Sequence, residues 1–121
     1  MMRPHERLDV WSKAIDLLMS IYRATESFPT EERYGLTSQI RRAAVSIPAN
    51  IAEGAARDSQ KEFTHFLSNA QRSASELETE ILIAHKLGYL AETNHRELRT
   101  SLDSIGRMLV GLSKSIKRRT S

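Results

Sequence analysis

The chain has 121 residues, enough for one folded domain (1–121) and too few for two ordinary ones. Its hydrophobic share of 40% and charged share of 27% are typical of a globular protein and exclude a disordered chain. Cysteine is absent, which excludes disulfides, thiol catalysis and cysteine metal sites. The longest uncharged stretch, 43–52, is far shorter than the roughly 20 apolar residues of a membrane span, and charged residues interrupt the N-terminal apolar segment. We therefore expect a cytoplasmic protein without a membrane partner.

The charge distribution is uneven, although the net charge is only +3. Residues 99–121 contain six basic side chains and a single acidic one. Two interpretations stay open: such a cluster binds a polyanion such as nucleic acid, or it stabilises the last turn of a helix through the helix macrodipole. The cluster near the C-terminus consists of Lys114, Lys117, Arg118 and Arg119.

The first predicted helix, 8–27, carries its apolar residues in adjacent pairs that recur every three or four positions. These pairs cover nearly half of the helix surface, which is more than one neighbouring helix buries. Pro29 ends the helix, because the residue before a proline is disfavoured in the helical conformation. The pairs are Val10/Trp11, Ala14/Ile15, Leu17/Leu18 and Ile21/Tyr22.

The second predicted helix, 37–57, has one apolar stripe that faces the core and a second arc about 100 degrees away. Most residues of the second arc are small, so another backbone could approach closely there. Surplus apolar surface on a small protein usually marks an interface. We therefore predict that this arc forms the contact between subunits of an oligomer, through Val45, Pro48, Ala49, Ala52 and Ala56.

A line of polar side chains runs between these two arcs of the second helix. If both arcs are buried, the line is at least partly buried, and its members must then form hydrogen bonds. We favour a structural network over a binding site for the middle and end of this line. The predicted network comprises Ser46, Asn50, Glu53 and Arg57.

The last two predicted helices, 60–87 and 93–118, each show an apolar seam with a heptad spacing. Ser59 and Glu62 form the pattern of a capping box before the third helix, and Gly88 is placed for a left-handed cap after it. No segment has the alternating pattern of a strand. The predicted fold is all-α, an antiparallel up-down-up-down four-helix bundle.

The segment 36–54, LTSQIRRAAVSIPANIAEG, closely resembles the signature of four-helix-bundle proteins encoded by intervening sequences in bacterial 23S ribosomal RNA genes. Segments 61–63, 87–90 and 108–112 are similar to the same family in order and spacing. The resemblance implies a homopentamer. It also implies kinship with the accessory subunit of diversity-generating retroelements, which is linked to reverse transcriptase and nucleic acid.

Two Glu-x-x-His pairs resemble the ligands of di-iron bundles, but they begin the third and fourth helices and so lie at opposite ends of antiparallel neighbours. We expect these residues to face solvent, and we predict no metal and no cofactor. The acidic trio on the third helix, Glu76, Glu78 and Glu80, is most simply its solvated side, with one member free to pair with an arginine across an interface. No nucleophile elbow or glycine-rich phosphate loop is present, so no catalytic residue is predicted.

Two functions are favoured, and a hydrolase or metalloenzyme ranks well behind them as a third. The first is a noncatalytic oligomer that binds RNA or a nucleic-acid enzyme, with Arg41, Arg42 and the C-terminal cluster as candidate contacts. The second is a purely structural oligomer or protein adaptor without affinity for nucleic acid. No aromatic residue is interleaved with these basic residues along the chain, so the first function predicts salt-dependent binding that tolerates different sequences.

Overall fold

Four long α-helices follow one another along the chain in a computed structural model that describes residues 2–120. They are α1 (Asp9–Thr25), α2 (Leu36–Ala55), α3 (Gln60–Lys86) and α4 (Glu92–Thr120). These bounds differ from the predicted ranges only in the last one or two residues at each end. Met1 and Ser121, the terminal residues of the predicted domain, lie outside the described residues.

Each helix packs against two others. Contacts join α1 to α2, α2 to α3, α3 to α4 and α4 back to α1, whereas the diagonal pairs do not meet within residues 2–120. The connections are short, so consecutive helices run in opposite directions. The predicted all-α, antiparallel four-helix bundle is confirmed. Two short 3-10 turns complete the described chain, at Pro4–Arg7 before α1 and Thr30–Glu32 before α2.

The core consists of the apolar seams that the heptad spacing indicates. In α3, Leu67, Leu77 and Ile81 are almost fully buried, and in α4 the same holds for Ile105 and Leu109. At roughly 25 cal/mol per Å2 of apolar surface, this burial is the main stabilising contribution to the fold. Within residues 2–120, no helix has both the length and the apolar character that a bilayer crossing requires.

The turn between α3 and α4 is fixed by Gly88. Its φ of +83° lies in the left-handed region, where a side chain would be strained. The Tyr89 amide donates to the Ala84 carbonyl at 2.9 Å and the Gly88 amide to the His85 carbonyl at 3.0 Å, the bonds of a Schellman motif. This cap, which the sequence predicts, sets the direction in which α4 returns along the bundle.

Pro48 corrects one part of the predicted interface. Helix α2 continues through Pro48, and the proline is buried within its own chain, so it does not belong to an exposed arc. Val45, Ala49 and Ala56 are exposed, and Ala52 is partly exposed. Four of the five predicted interface residues are therefore available to a partner on this side of α2.

Candidate nucleic-acid interface

Arg41 is held in place where the end of α1 meets the beginning of α2. Its Nε donates to Thr25 Oγ1 at 2.8 Å, and its terminal NH2 donates to the Tyr22 carbonyl at 3.4 Å. Thr25 is itself buried and donates to the Ile21 carbonyl at 2.8 Å. The Arg41 guanidinium carbon lies 4.4 Å from the centre of the Tyr22 ring, within the range of a cation–π interaction. These contacts fix the guanidinium while using two of its five N–H donors.

Arg41 belongs to an open groove of about 650 Å3 that three parts of the chain build together. Tyr22 comes from α1, Arg33 and Tyr34 from the connection, and Arg41 and Arg42 from α2. None of the residues that line the groove is acidic. We name this surface the arginine–tyrosine groove, and its charge makes it a place where an anion can bind.

The tyrosines of this groove correct an expectation from the sequence. Aromatic residues are absent from the immediate sequence around Arg41 and Arg42, but folding brings Tyr22 against Arg41 although the two are 19 positions apart. Arg33 lies over the ring of Tyr34, with 5.5 Å between the guanidinium carbon and the ring centre. Basic and aromatic groups are therefore interleaved in space, as in sites that bind single-stranded nucleic acid.

The C-terminal basic cluster lies at the other end of the bundle. Lys117 lines a small surface pocket with Ser59 and Lys61, at the beginning of α3 and next to the end of α2. Arg41 lies 14 residues before Ala55, the last residue of α2, which corresponds to about 21 Å at 1.5 Å per residue. The structure therefore does not bring the two predicted basic regions into one site.

The predicted polar network divides into two parts. In the first part, Ser46 Oγ and Ser73 Oγ are 2.8 Å apart, which joins α2 to α3. Asn50 Nδ2 donates to the Ser46 carbonyl at 2.8 Å and to Ser46 Oγ at 2.9 Å. These groups are partly buried, so their hydrogen bonds offset the cost of removing them from water.

The second part, Glu53 and Arg57, is a surface ion pair and does not belong to that network. Arg57 donates to Glu53 Oε2 at 3.3 Å, and the two side chains are 42% and 55% exposed. The line of polar residues is exposed at the end of α2. Arg57 comes after the end of the helix and lies over the ring of Phe66, with 4.9 Å between the guanidinium carbon and the ring centre. Exposed pairs of this kind stabilise a fold by about 1 kcal/mol at most.

Glu80 of α3 corrects the prediction that the acidic trio faces solvent. Its side chain is buried, and Oε1 has no hydrogen-bond partner among the described residues. Burial raises the pKa of Glu80 from its ordinary value of 4.5 to about 7, with a further contribution from the nearby carboxylate of Glu76. The carboxyl group is therefore largely protonated in mildly acidic solution.

His95 of α4 is the second buried titratable group, although its position near the helix start predicts exposure. It is 5% exposed, stacks on His85 with 4.6 Å between ring centres, and its Nε2 has no partner among the described residues. Burial lowers the pKa of His95, and the neighbouring His85 and Arg99 lower it further. His85 Nε2 lies 2.9 Å from Glu92 Oε2.

These groups do not form a metal site in the described part of the chain. No set of three or more His, Asp or Glu side chains is placed to hold a metal ion there. Glu62 and His65, the other predicted pair, are both exposed at the beginning of α3.

The comparisons with known proteins agree with the fold. Residues 6–111 match the family model of the 23S rRNA-intervening sequence protein. The chain is also similar to a crystal structure of a protein of unknown function from the S23 ribosomal protein family of Bacteroides thetaiotaomicron. The TM-score is 0.80 at 22% identity, over 87% of this chain and 95% of that chain, which shows a shared fold. No curated protein matches. Because the family model covers most of its length, the chain belongs to the 23S rRNA-intervening sequence protein family.

Proposed function

We propose that the protein is a noncatalytic, oligomeric bundle that binds RNA in the cytoplasm. The observation that carries this proposal is the arginine–tyrosine groove, where three arginines meet without a carboxylate on the lining. None of Arg33, Arg41 and Arg42 forms an ion pair with an acidic residue in the described part of the chain. Guanidinium groups bind phosphate with two parallel hydrogen bonds, so an RNA backbone is a chemically matched ligand.

The chemistry of the groove favours binding over catalysis. An arginine does not lose its proton in a protein, so it cannot act as a general base. The other polar side chains of the lining carry hydroxyl groups, of Tyr, Ser and Thr, and the lining contains no histidine or carboxylate to activate a nucleophile. A groove with this composition can hold an anion but supplies no paired acid and base.

The salt dependence of RNA affinity tests the proposal. Anisotropy of a labelled RNA oligonucleotide should give a straight line of log affinity against log salt, with a slope of about −0.7 for each phosphate contact on a single strand. Arg42→Ala should make the slope shallower by about 0.7, the value for one phosphate contact, because Arg42 is exposed and lines the groove. Arg107→Ala is the matched control, since Arg107 is an exposed arginine of α4 that lines a different surface pocket.

A second variant tests whether the C-terminal cluster takes part. Replacement of Lys114, Lys117, Arg118 and Arg119 by serine should flatten the slope independently of Arg42→Ala, because the two regions are about 21 Å apart along the bundle. Absence of any salt-dependent affinity for RNA would contradict the proposal. That result would favour the structural oligomer or adaptor instead.

A further inference from the structure

Tyr34 is the most exposed of the large hydrophobic residues in the described part of the chain, with 87% of its surface open to solvent. It follows the 3-10 turn before α2 and lines the arginine–tyrosine groove. Its ring contributes little to the core, so folding alone does not account for an aromatic residue here. An exposed ring within a basic groove is a surface on which a planar group can stack.

Two ring–guanidinium pairs line the groove. Arg41 packs on Tyr22 at 4.4 Å, and Arg33 on Tyr34 at 5.5 Å. The first pair is fixed by the hydrogen bonds from Arg41 to Thr25 and Tyr22, whereas the second lies in the connection between the helices. Arginine planes and aromatic rings both stack on nucleobases, and every base offers such a face.

From this arrangement we infer that the groove binds single-stranded RNA with unpaired bases, one of which stacks on Tyr34 while Arg41 and Arg42 contact the phosphates. The inference rests on the proposed function and adds the class of RNA that the groove prefers. In a duplex the bases are stacked on each other, and a protein reaches mainly phosphates and 2′-hydroxyls. A duplex therefore leaves the Tyr34 ring unused, whereas a single strand uses both the rings and the charges.

The test compares three probes on wild type and Tyr34→Ala: oligo(U), the same strand annealed to oligo(A), and inorganic polyphosphate, which has charge but no bases. Tyr34→Ala should weaken oligo(U) binding about fivefold or more, since a stacked base contributes about 1 to 3 kcal/mol. Its affinity for the duplex and for polyphosphate should not change. Tyr34→Phe keeps the ring and should keep wild-type affinity for oligo(U).

The outcomes separate this inference from the proposed function. If Tyr34→Ala binds oligo(U) as tightly as wild type, with the salt slope intact, stacking is wrong and RNA binding stands. An equal loss for polyphosphate also overturns the inference, because the ring would then act only by positioning Arg33. If the mass by light scattering falls in Tyr34→Ala, the groove is an interface between subunits and the inference fails. If no probe binds at low salt, both proposals fail.

Discussion

At the scale of single residues, the buried carboxyl group of Glu80 makes stability depend on pH. In the unfolded chain the group ionises at its ordinary pKa of 4.5, whereas in the bundle the pKa is about 7. Between these values the folded state holds a proton that the unfolded state has lost. The contribution of Glu80 to stability therefore falls as pH rises from about 4.5 to 7 and stays at the lower level above that range, because the raised pKa favours the unfolded state once Glu80 ionises.

Glu80→Gln should remove this loss, because an amide of similar size does not ionise. At pH 8 we expect the free energy of unfolding of the variant, measured in urea, to exceed that of wild type by up to about 3 kcal/mol. Near pH 4 the two should differ little. Glu78→Gln is the matched control, since Glu78 is an exposed carboxylate on the same helix. If wild type and Glu80→Gln lose stability in parallel between pH 5 and 8, Glu80 is not the titrating group.

At the scale of helices, Gly54 determines how closely the end of α2 approaches the beginning of α3. A Cβ atom at Gly54 would lie 2.8 Å from Phe66 Cβ and 3.2 Å from the Phe63 carbonyl oxygen. One of these atoms belongs to the backbone, so the two helices would have to separate to admit a methyl group. The glycine thus permits a contact that another residue would prevent.

Gly54→Ala should destabilise the bundle by about 1 to 3 kcal/mol in urea unfolding, the usual cost of an overpacked contact. Gly106→Ala is a control of opposite sign. A Cβ atom at Gly106 in α4 would meet no atom within 4 Å apart from its chain neighbours and the backbone of its own helix. Alanine should therefore stabilise the helix there by up to about 1 kcal/mol. Stabilisation by both substitutions would show that α2 and α3 are not packed this closely in solution.

The helices were predictable from the sequence because their seams repeat locally. Leu67, Leu77 and Ile81 share a heptad register, and one register decides which side of α3 faces the core. Glu80 lies one heptad after Ser73, which contacts Ser46 of α2, so it is on the side of α3 that faces α2. Its burial therefore depends on how closely these two helices approach. Local spacing contains no information about that distance, so the assignment of Glu80 to the solvated side was wrong, whereas Glu76 and Glu78 are exposed as predicted.

The candidate groove shows the same limit. Arg41 and Arg42 were candidate contacts from the sequence, because they are adjacent cations in the family signature. Tyr22, Arg33 and Tyr34 were not, since they come from α1 and the connection and reach the groove only when α1 packs on α2. A helical wheel of α2 cannot show which residues of another element lie over it.

At the scale of the whole molecule, a second apolar stripe of α1 lies beside the second arc of α2. The stripe of α1 consists of the second members of its apolar pairs, Trp11, Ile15, Leu18 and Tyr22. Arg41 of α2 contacts Tyr22 of α1, and the two helices are antiparallel. One helical turn after Arg41 on α2 therefore lies beside one helical turn before Tyr22 on α1. Val45 is therefore level with Leu18, and both lie on the same side of the pair. The two stripes form one apolar face, and faces of this kind usually mark an interface.

We expect this face to join subunits from Val45 towards Ala56, with the number five supplied by the family resemblance. Val45 also borders the arginine–tyrosine groove, so we expect the contact to begin at the edge of the groove and to leave Arg33, Tyr34 and Arg42 open. Val45→Asp should lower the mass of the assembly in light scattering at micromolar concentration, because an unpaired charge would be buried in the contact. Val110→Asp is a closely matched control: Val45 is 42% exposed on α2 and Val110 is 41% exposed on α4. A wild-type mass of 13.7 kDa, or an equal effect of both substitutions, would contradict the assembly.

Assembly should also control RNA affinity, because a ring repeats the arginine–tyrosine groove on every subunit. Several weak contacts on one strand then act together, and the combined affinity exceeds that of a single groove by far. Ala52→Asp tests this link without altering the groove, since Ala52 is absent from its lining. If this variant dissociates the ring, it should bind long oligo(U) at least about 100-fold more weakly but short oligo(U), which fills one groove, as well as wild type does. A dissociated variant that keeps full affinity for long RNA would show that one subunit is sufficient.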